Sequence, residues 1–121
     1  MIRLREIEYD DLQQINNWRN DINIVNSLGA NFRYINFETE KLWFENYMKS
    51  RSNNVRLAII DDDMFIGMVN LLNINSLNQS AEFSIQIGDT KKQSKGVGTT
   101  VTKMILNHAF NNLNLNKVYL T

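Results

Sequence analysis

Apolar and polar residues alternate without a break through Ala81-Glu82-Phe83-Ser84-Ile85-Gln86-Ile87, the period of a strand with one buried face. Ile2 and Leu4 alternate with Arg3 and Arg5 in the same way, which predicts a half-buried first strand. Val55 to Ile60 is an apolar run of strand length, and Met64 to Leu72 is a longer one interrupted by Gly67, a mark of a bulge or a close backbone approach. Lys117 to Thr121 reads as a last strand.

Between these runs the spacing is helical. Leu12, Ile15 and Trp18 recur one turn apart after Asp10 and Asp11, whose charges suit a helix N-terminus, and Asn20-Asp21 breaks the pattern. Ser27 to Asn31 then reads as a loop. Asn36 is the expected N-cap of a second helix, with Glu38 in its first turn and the pairs Trp43/Tyr47 and Phe44/Met48 stacked along a core-facing stripe. Val97, Val101, Met104, Ile105 and Ala109 predict a further helix. The order is therefore β-α-α-β-β-β-α-β. A meander followed by a crossover to one parallel strand predicts an α/β fold on a mixed sheet, as one domain over residues 1–121.

Composition narrows the chemistry. Thirteen basic residues balance thirteen acidic ones, so no global field gathers nucleic acid or a membrane surface, and any anion site must be local. The chain has no cysteine and one histidine, His108, which removes thiolate nucleophiles and histidine clusters. Asp61-Asp62-Asp63 lacks the alternation, the central glycine and the distal glutamate of a calcium loop and reads as a solvated hairpin turn; no metal is expected. With no secretory leader and no membrane-length apolar run, the expected setting is the cytoplasm.

The segment Gln93-Ser94-Lys95-Gly96-Val97-Gly98-Thr99 follows the alternating strand and opens a helix. Backbone N–H groups at a helix start point outward with the positive end of the dipole, and glycines admit a phosphate closely, with Gln93, Lys95 and Thr99 as donors at the rim. Lysine precedes the glycine pair, so the segment is no Walker loop, and Thr99-Thr100 after Gly98 spoils a dinucleotide fingerprint. On the glycines alone, a phosphate nest and a plain helix start both remain open.

Gln93-x-x-Gly96-x-Gly98 in this setting resembles the signature of the GNAT N-acetyltransferases. Arg3-Leu4-Arg5, Trp18-Arg19-Asn20, Phe65-Ile66-Gly67 and Asn107-His108-Ala109-Phe110 are similar to the subgroup that acetylates ribosomal-protein alanine termini or amino-sugar nucleotides. The resemblance implies acetyl-CoA as co-substrate, with pyrophosphate on residues 93–99 and pantetheine along Ile85, Gln86 and Ile87. It also implies that the Ile87 N–H polarises the thioester carbonyl, and that Glu82, where the family often has a glutamate, is the general base. For Glu82 the alternative is a polar residue on a solvated sheet face. The region of Arg19, Phe32, Arg33 and Tyr34 shapes the acceptor pocket in similar enzymes; these side chains read either as a grip on a nucleotide-linked sugar or as a surface arginine among core aromatics. His108, ten residues beyond Gly98, is read as a surface or partly packed side chain.

Family members continue past the last strand with a helix and further strands, and that helix carries a tyrosine that protonates the leaving thiolate; Tyr119 does not occupy its place. The expectation is a C-terminally incomplete GNAT-like domain that transfers acetyl to a small-molecule or peptide amine, with no nucleic-acid or membrane partner. The alternative is a CoA-binding or self-associating domain without turnover. Its terminal edge strand predicts a homo-oligomer.

Overall fold

The computed structural model describes residues 1–88 and 96–120. The chain forms two compact units, Met1–Glu6 with Ser52–Thr121, and Ile7–Arg51.

The first unit is a five-stranded sheet in the order β1-β2-β3-β4-β5, made of β1 (Ile2–Glu6), β2 (Val55–Asp61), β3 (Met64–Asn75), β4 (Ser80–Ile87) and β5 (Lys117–Leu120). β1 to β4 pair antiparallel and β5 pairs parallel to β4. The crossover between them holds a helix, α4 (Val97–Asn107), as a parallel connection requires. This is the mixed α/β fold that the pattern predicts.

Each strand contributes one face to a single core. Ile59 of β2, Val69 and Leu71 of β3, and Ala81, Phe83 and Ile87 of β4 pack with Val97, Val101 and Ile105 of α4. Ile2, Leu4, Val55, Leu57, Ile85 and Val118 complete it from the same face. The alternation in the strands and the 3.6-residue spacing in α4 are two readings of this one cluster.

The turns follow from local chemistry. Asp62 and Asp63 have φ of 49° and 68° between β2 and β3, so the triple aspartate closes a two-residue hairpin of the kind that requires two left-handed residues. Asn75 Oδ1 accepts from the N–H groups of Leu77 and Asn78, both at 3.0 Å, which shapes the β3–β4 turn. Both readings suggested by Gly67 hold. The β2–β3 register steps between Ile59↔Gly67 and Ile60↔Phe65, leaving Ile66 as the bulged residue. A Cβ at Gly67 would stand 2.2 Å from the Gln86 carbonyl oxygen, so only glycine fits opposite the end of β4.

The second unit holds α1 (Leu12–Arg19), α2 (Ile22–Ser27) and α3 (Phe37–Lys49), with a 3₁₀ turn at Tyr9–Asp11 before α1. Asn36 caps α3, its Oδ1 accepting from the Thr39 N–H at 2.8 Å. Glu40 is buried, with both carboxylate oxygens 2.9 Å from Arg19 Nε. Of the aromatic stripe on α3, Tyr47 is buried whereas Met48 is half exposed. α2 is an addition to the expected order of two helices before β2. Asp21, read as a break, restarts the chain instead: its carboxylate accepts from the N–H groups of Asn23 and Ile24.

Candidate active site

The site is built at the outer half of β4. Gln79 accepts from the N–H groups of Asn116 and Lys117 at 2.7 and 3.1 Å. Alternation along a regular strand therefore turns the backbone groups of residues 81, 83, 85 and 87 to the β5 side. The Gly88 N–H, 2.8 Å from the Ile66 carbonyl, gives the same phase from the opposite edge, because it sets the even-numbered residues toward β3. Pairing with β5 runs from Ser80↔Lys117 to Phe83↔Leu120. Beyond Phe83, β4 continues to Ile87, and the phase places the backbone groups of Ile85 and Ile87 on this same side of the strand.

α4 begins beside this strand in the core. Its N-cap is Gly96, at φ 74° and ψ 8°, a left-handed conformation that glycine adopts without strain. The first intrahelical bond runs from the Thr100 N–H to the Gly96 carbonyl at 3.2 Å, so the N–H groups of Val97, Gly98 and Thr99 precede it and point out of the helix start. Among the described residues, a Cβ added at Gly96 or at Gly98 meets no atom within 4 Å. The dipole and the glycines at this end fit an anionic group. Gln93, Ser94 and Lys95 lie outside the described residues.

The side chains of Glu82, Ser84 and Gln86 share the face of β4 opposite the packed core, as the alternation predicts. Glu82 is held by Asn73, whose Nδ2 donates to Oε2 at 3.1 Å. Asn70, across from Ser84 on β3, donates to the Ser84 hydroxyl at 3.0 Å and accepts from Arg56 at 3.3 Å. Asn73, Asn70 and Arg56 are absent from the sequence-based site. The signal was a second polar interruption in the apolar run of β3, which Gly67 overshadowed.

His108 lies in a π-helical turn, His108–Asn112, that extends α4, with Nδ1 2.9 Å from the Asn112 amide oxygen. It lines a shallow concavity of about 450 Å³ with Leu4, Arg5, Leu57 and Met104. Arg19 is engaged by Glu40 and stacks over Trp43 at 4.8 Å. Phe32 and Tyr34 meet edge to face at 4.9 Å, and Arg33 between them is exposed. Among the described residues no group of histidine, aspartate or glutamate side chains is arranged to hold a metal ion.

A family model described as an acetyltransferase (GNAT) domain matches residues 2–121. The spermidine N(1)-acetyltransferase of Vibrio cholerae is 35% identical over 98% of this chain and 68% of its own length. Acetyltransferase PseH of Campylobacter jejuni is 30% identical over 96% of this chain and 71% of its own length. Among solved structures, the Vibrio cholerae spermidine N-acetyltransferase in complex with CoA and spermine superposes with a TM-score of 0.87 at 32% identity, covering 98% of this chain and 69% of that one. The family match over residues 2–121 and these relatives place the chain in the GNAT family, as an acetyl-CoA-dependent N-acetyltransferase.

Proposed function

We propose that residues 1–121 act as one GNAT-like domain that transfers the acetyl group of acetyl-CoA to the primary amine of a nucleotide-linked amino sugar. The observation that supports the cofactor placement is the edge of β4 beyond Phe83, where the backbone groups of Ile85 and Ile87 lie on the β5 side past the described β4–β5 pairs. Pantetheine pairs with the backbone of Ile85 and Ile87; Gln86, expected from the sequence to share in this, turns its own backbone groups to β3 instead, and the pyrophosphate rests on Gln93, Ser94, Lys95, Gly96, Val97, Gly98 and Thr99. The Ile87 N–H donates to the thioester carbonyl and stabilises the charge that grows on its oxygen when the amine attacks. Glu82 takes the proton that the attacking ammonium must lose. The C–N bond forms as the C–S bond breaks, and the second proton shed by the nitrogen passes to the departing sulfur, so CoA leaves as the thiol.

The acceptor assignment is supported by the segment from Ser27 to Asn36, which has no carboxylate and carries Arg33 between two aromatic rings. Such a segment offers a polycation no counter-charge, whereas its guanidinium suits an amine that bears phosphate. A polyamine acceptor is the second reading, favoured by the relatives named as spermidine acetyltransferases. The third is a CoA-binding or self-associating domain without turnover. Calorimetric titration with acetyl-CoA, followed by thiol release with a nucleotide-linked amino sugar, spermidine and a peptide amino terminus, separates them. The expected result is binding, with release driven by the amino sugar. Release driven by spermidine alone replaces the acceptor, and binding without release leaves only the third reading.

A further inference from the structure

Asn70 is 2% exposed near the middle of β3, between Val69 and Leu71 of the core. A buried amide is stable only when its donors and acceptor find partners. Its Oδ1 accepts from Arg56 Nη1 at 3.3 Å and its Nδ2 donates to Ser84 Oγ at 3.0 Å. The orientation is fixed by chemistry, because a guanidinium only donates: the oxygen must face Arg56 and the amino group must face Ser84. Ser84 therefore spends one lone pair on Asn70 and keeps its proton and its second lone pair for other partners.

We propose that Asn70 is a positioning residue that sets the direction of the Ser84 hydroxyl, and that Ser84 relays the proton of the acceptor ammonium toward Glu82. The inference rests on the function proposed above. One face of β4 is filled by the core that includes Ile85, Ile87 and α4, whereas Glu82, Ser84 and Gln86 are each partly exposed on the opposite face, the face from which the amine is proposed to approach. Glu82 and Ser84 stand two residues apart on it, a separation that one water spans. The ammonium proton passes to Ser84 Oγ, the serine proton passes to the bridging water, and a water proton passes to the Glu82 carboxylate. Ser84 and the water are regenerated, the carboxylate becomes the acid, and the amine lone pair is released to attack the thioester carbon.

The test uses the full chain with acetyl-CoA and the most active amine of the panel. Ser84→Ala removes the relay. Asn70→Asp keeps the shape and the partnership with Arg56 but replaces the donor to Ser84 by an acceptor, which reverses the hydroxyl. Each is expected to lower kcat on the order of 10²-fold, with KM for acetyl-CoA within about twofold of the parent, since neither side chain lies on the proposed cofactor edge. Ser84→Thr, which keeps a hydroxyl, is expected to recover most of the rate, and the double variant to be no slower than Ser84→Ala alone. Because Asn70→Asp could unfold the sheet, Ser84→Ala with its threonine rescue decides by itself. An unchanged kcat in Ser84→Ala with acetyl-CoA binding intact overturns the relay alone. Absence of acetyl-CoA binding by the parent chain overturns the proposed function and the relay together, and binding without thiol release overturns the relay and leaves only the cofactor reading.

Discussion

Among the described residues, a methyl group added at Gly98 meets no atom within 4 Å, and it lies in the first turn of α4. By helix propensity alone, Gly98→Ala stabilises the fold, by up to about 1 kcal/mol. The same methyl projects where the phosphate is proposed to sit. The expected outcome is a raised melting temperature together with acetyl-CoA affinity weakened roughly tenfold, about 1.4 kcal/mol, read by denaturation and calorimetry on one preparation. Gly67→Ala points the other way: its Cβ would collide with the Gln86 carbonyl, and overpacking of this kind costs about 1 to 3 kcal/mol. Thermal unfolding checks it. Arg33, exposed between Phe32 and Tyr34, is expected on replacement by alanine to raise the acceptor KM several-fold with stability changed by less than about 0.5 kcal/mol. Steady-state kinetics against a melting curve distinguishes that outcome from a structural role.

At the scale of elements, Arg19 links α1 to α3 through the buried Glu40. Arg19→Met leaves that carboxylate with the Asn16 amide at 3.4 Å. Removing one member of a buried pair costs about 3 to 5 kcal/mol; because Arg19 itself is 32% exposed, about 2 to 3 kcal/mol is expected here. Urea denaturation of the variant reads it. What the sequence disclosed of these elements depended on how local the signal was. The Asn36 cap and the Asp61–Asp63 turn were legible because each is decided within four residues. α2 was not, since six residues hold too little periodicity to outweigh the polar Asn20-Asp21 that precedes it. The π turn at His108–Asn112 escaped because an extra residue in a turn breaks no hydrophobic spacing upstream of it. The Arg56–Asn70–Ser84 chain was hidden for a different reason. Asn70 faces Ser84 only because the β3–β4 register steps by one residue between Leu72 and Asn75; continued from Asn75↔Ser80 without that step, the ladder would set Asn70 against Ile85.

For the whole molecule, ligand binding and strand edges decide behaviour in solution. A ligand held at 100 times its dissociation constant adds about 2.7 kcal/mol to stability, so saturating acetyl-CoA is expected to raise the melting temperature by roughly 10 °C for a chain of this size. No shift at saturation would remove the cofactor from the site. Among the described residues β5 pairs on one side only and exposes Leu120 at 76%. Such an edge promotes pairing between copies, and sedimentation velocity is expected to show mass increasing with concentration; a constant monomer would rule this association out. No helix among the described residues is long and apolar enough to cross a membrane. At this scale the sheet order and the crossover were legible from pattern, because a meander followed by a helix leaves few topologies. The outward phase of Ile85 and Ile87 was not, since it is set by the bonds of Gln79 and Gly88.

The bulge at Ile66 has a practical use. Below it, β2 and β3 keep one register from Val55↔Leu71 to Ile59↔Gly67, and above it the hairpin tip keeps another, from Ile60↔Phe65 to Asp61↔Met64. The extra residue is a joint that decouples the tip from the half of β3 carrying Asn70. A short epitope or fluorescent tag spliced between Asp62 and Asp63 would therefore ride on the far side of that joint, giving a handle for immobilising the protein while its chemistry is assayed.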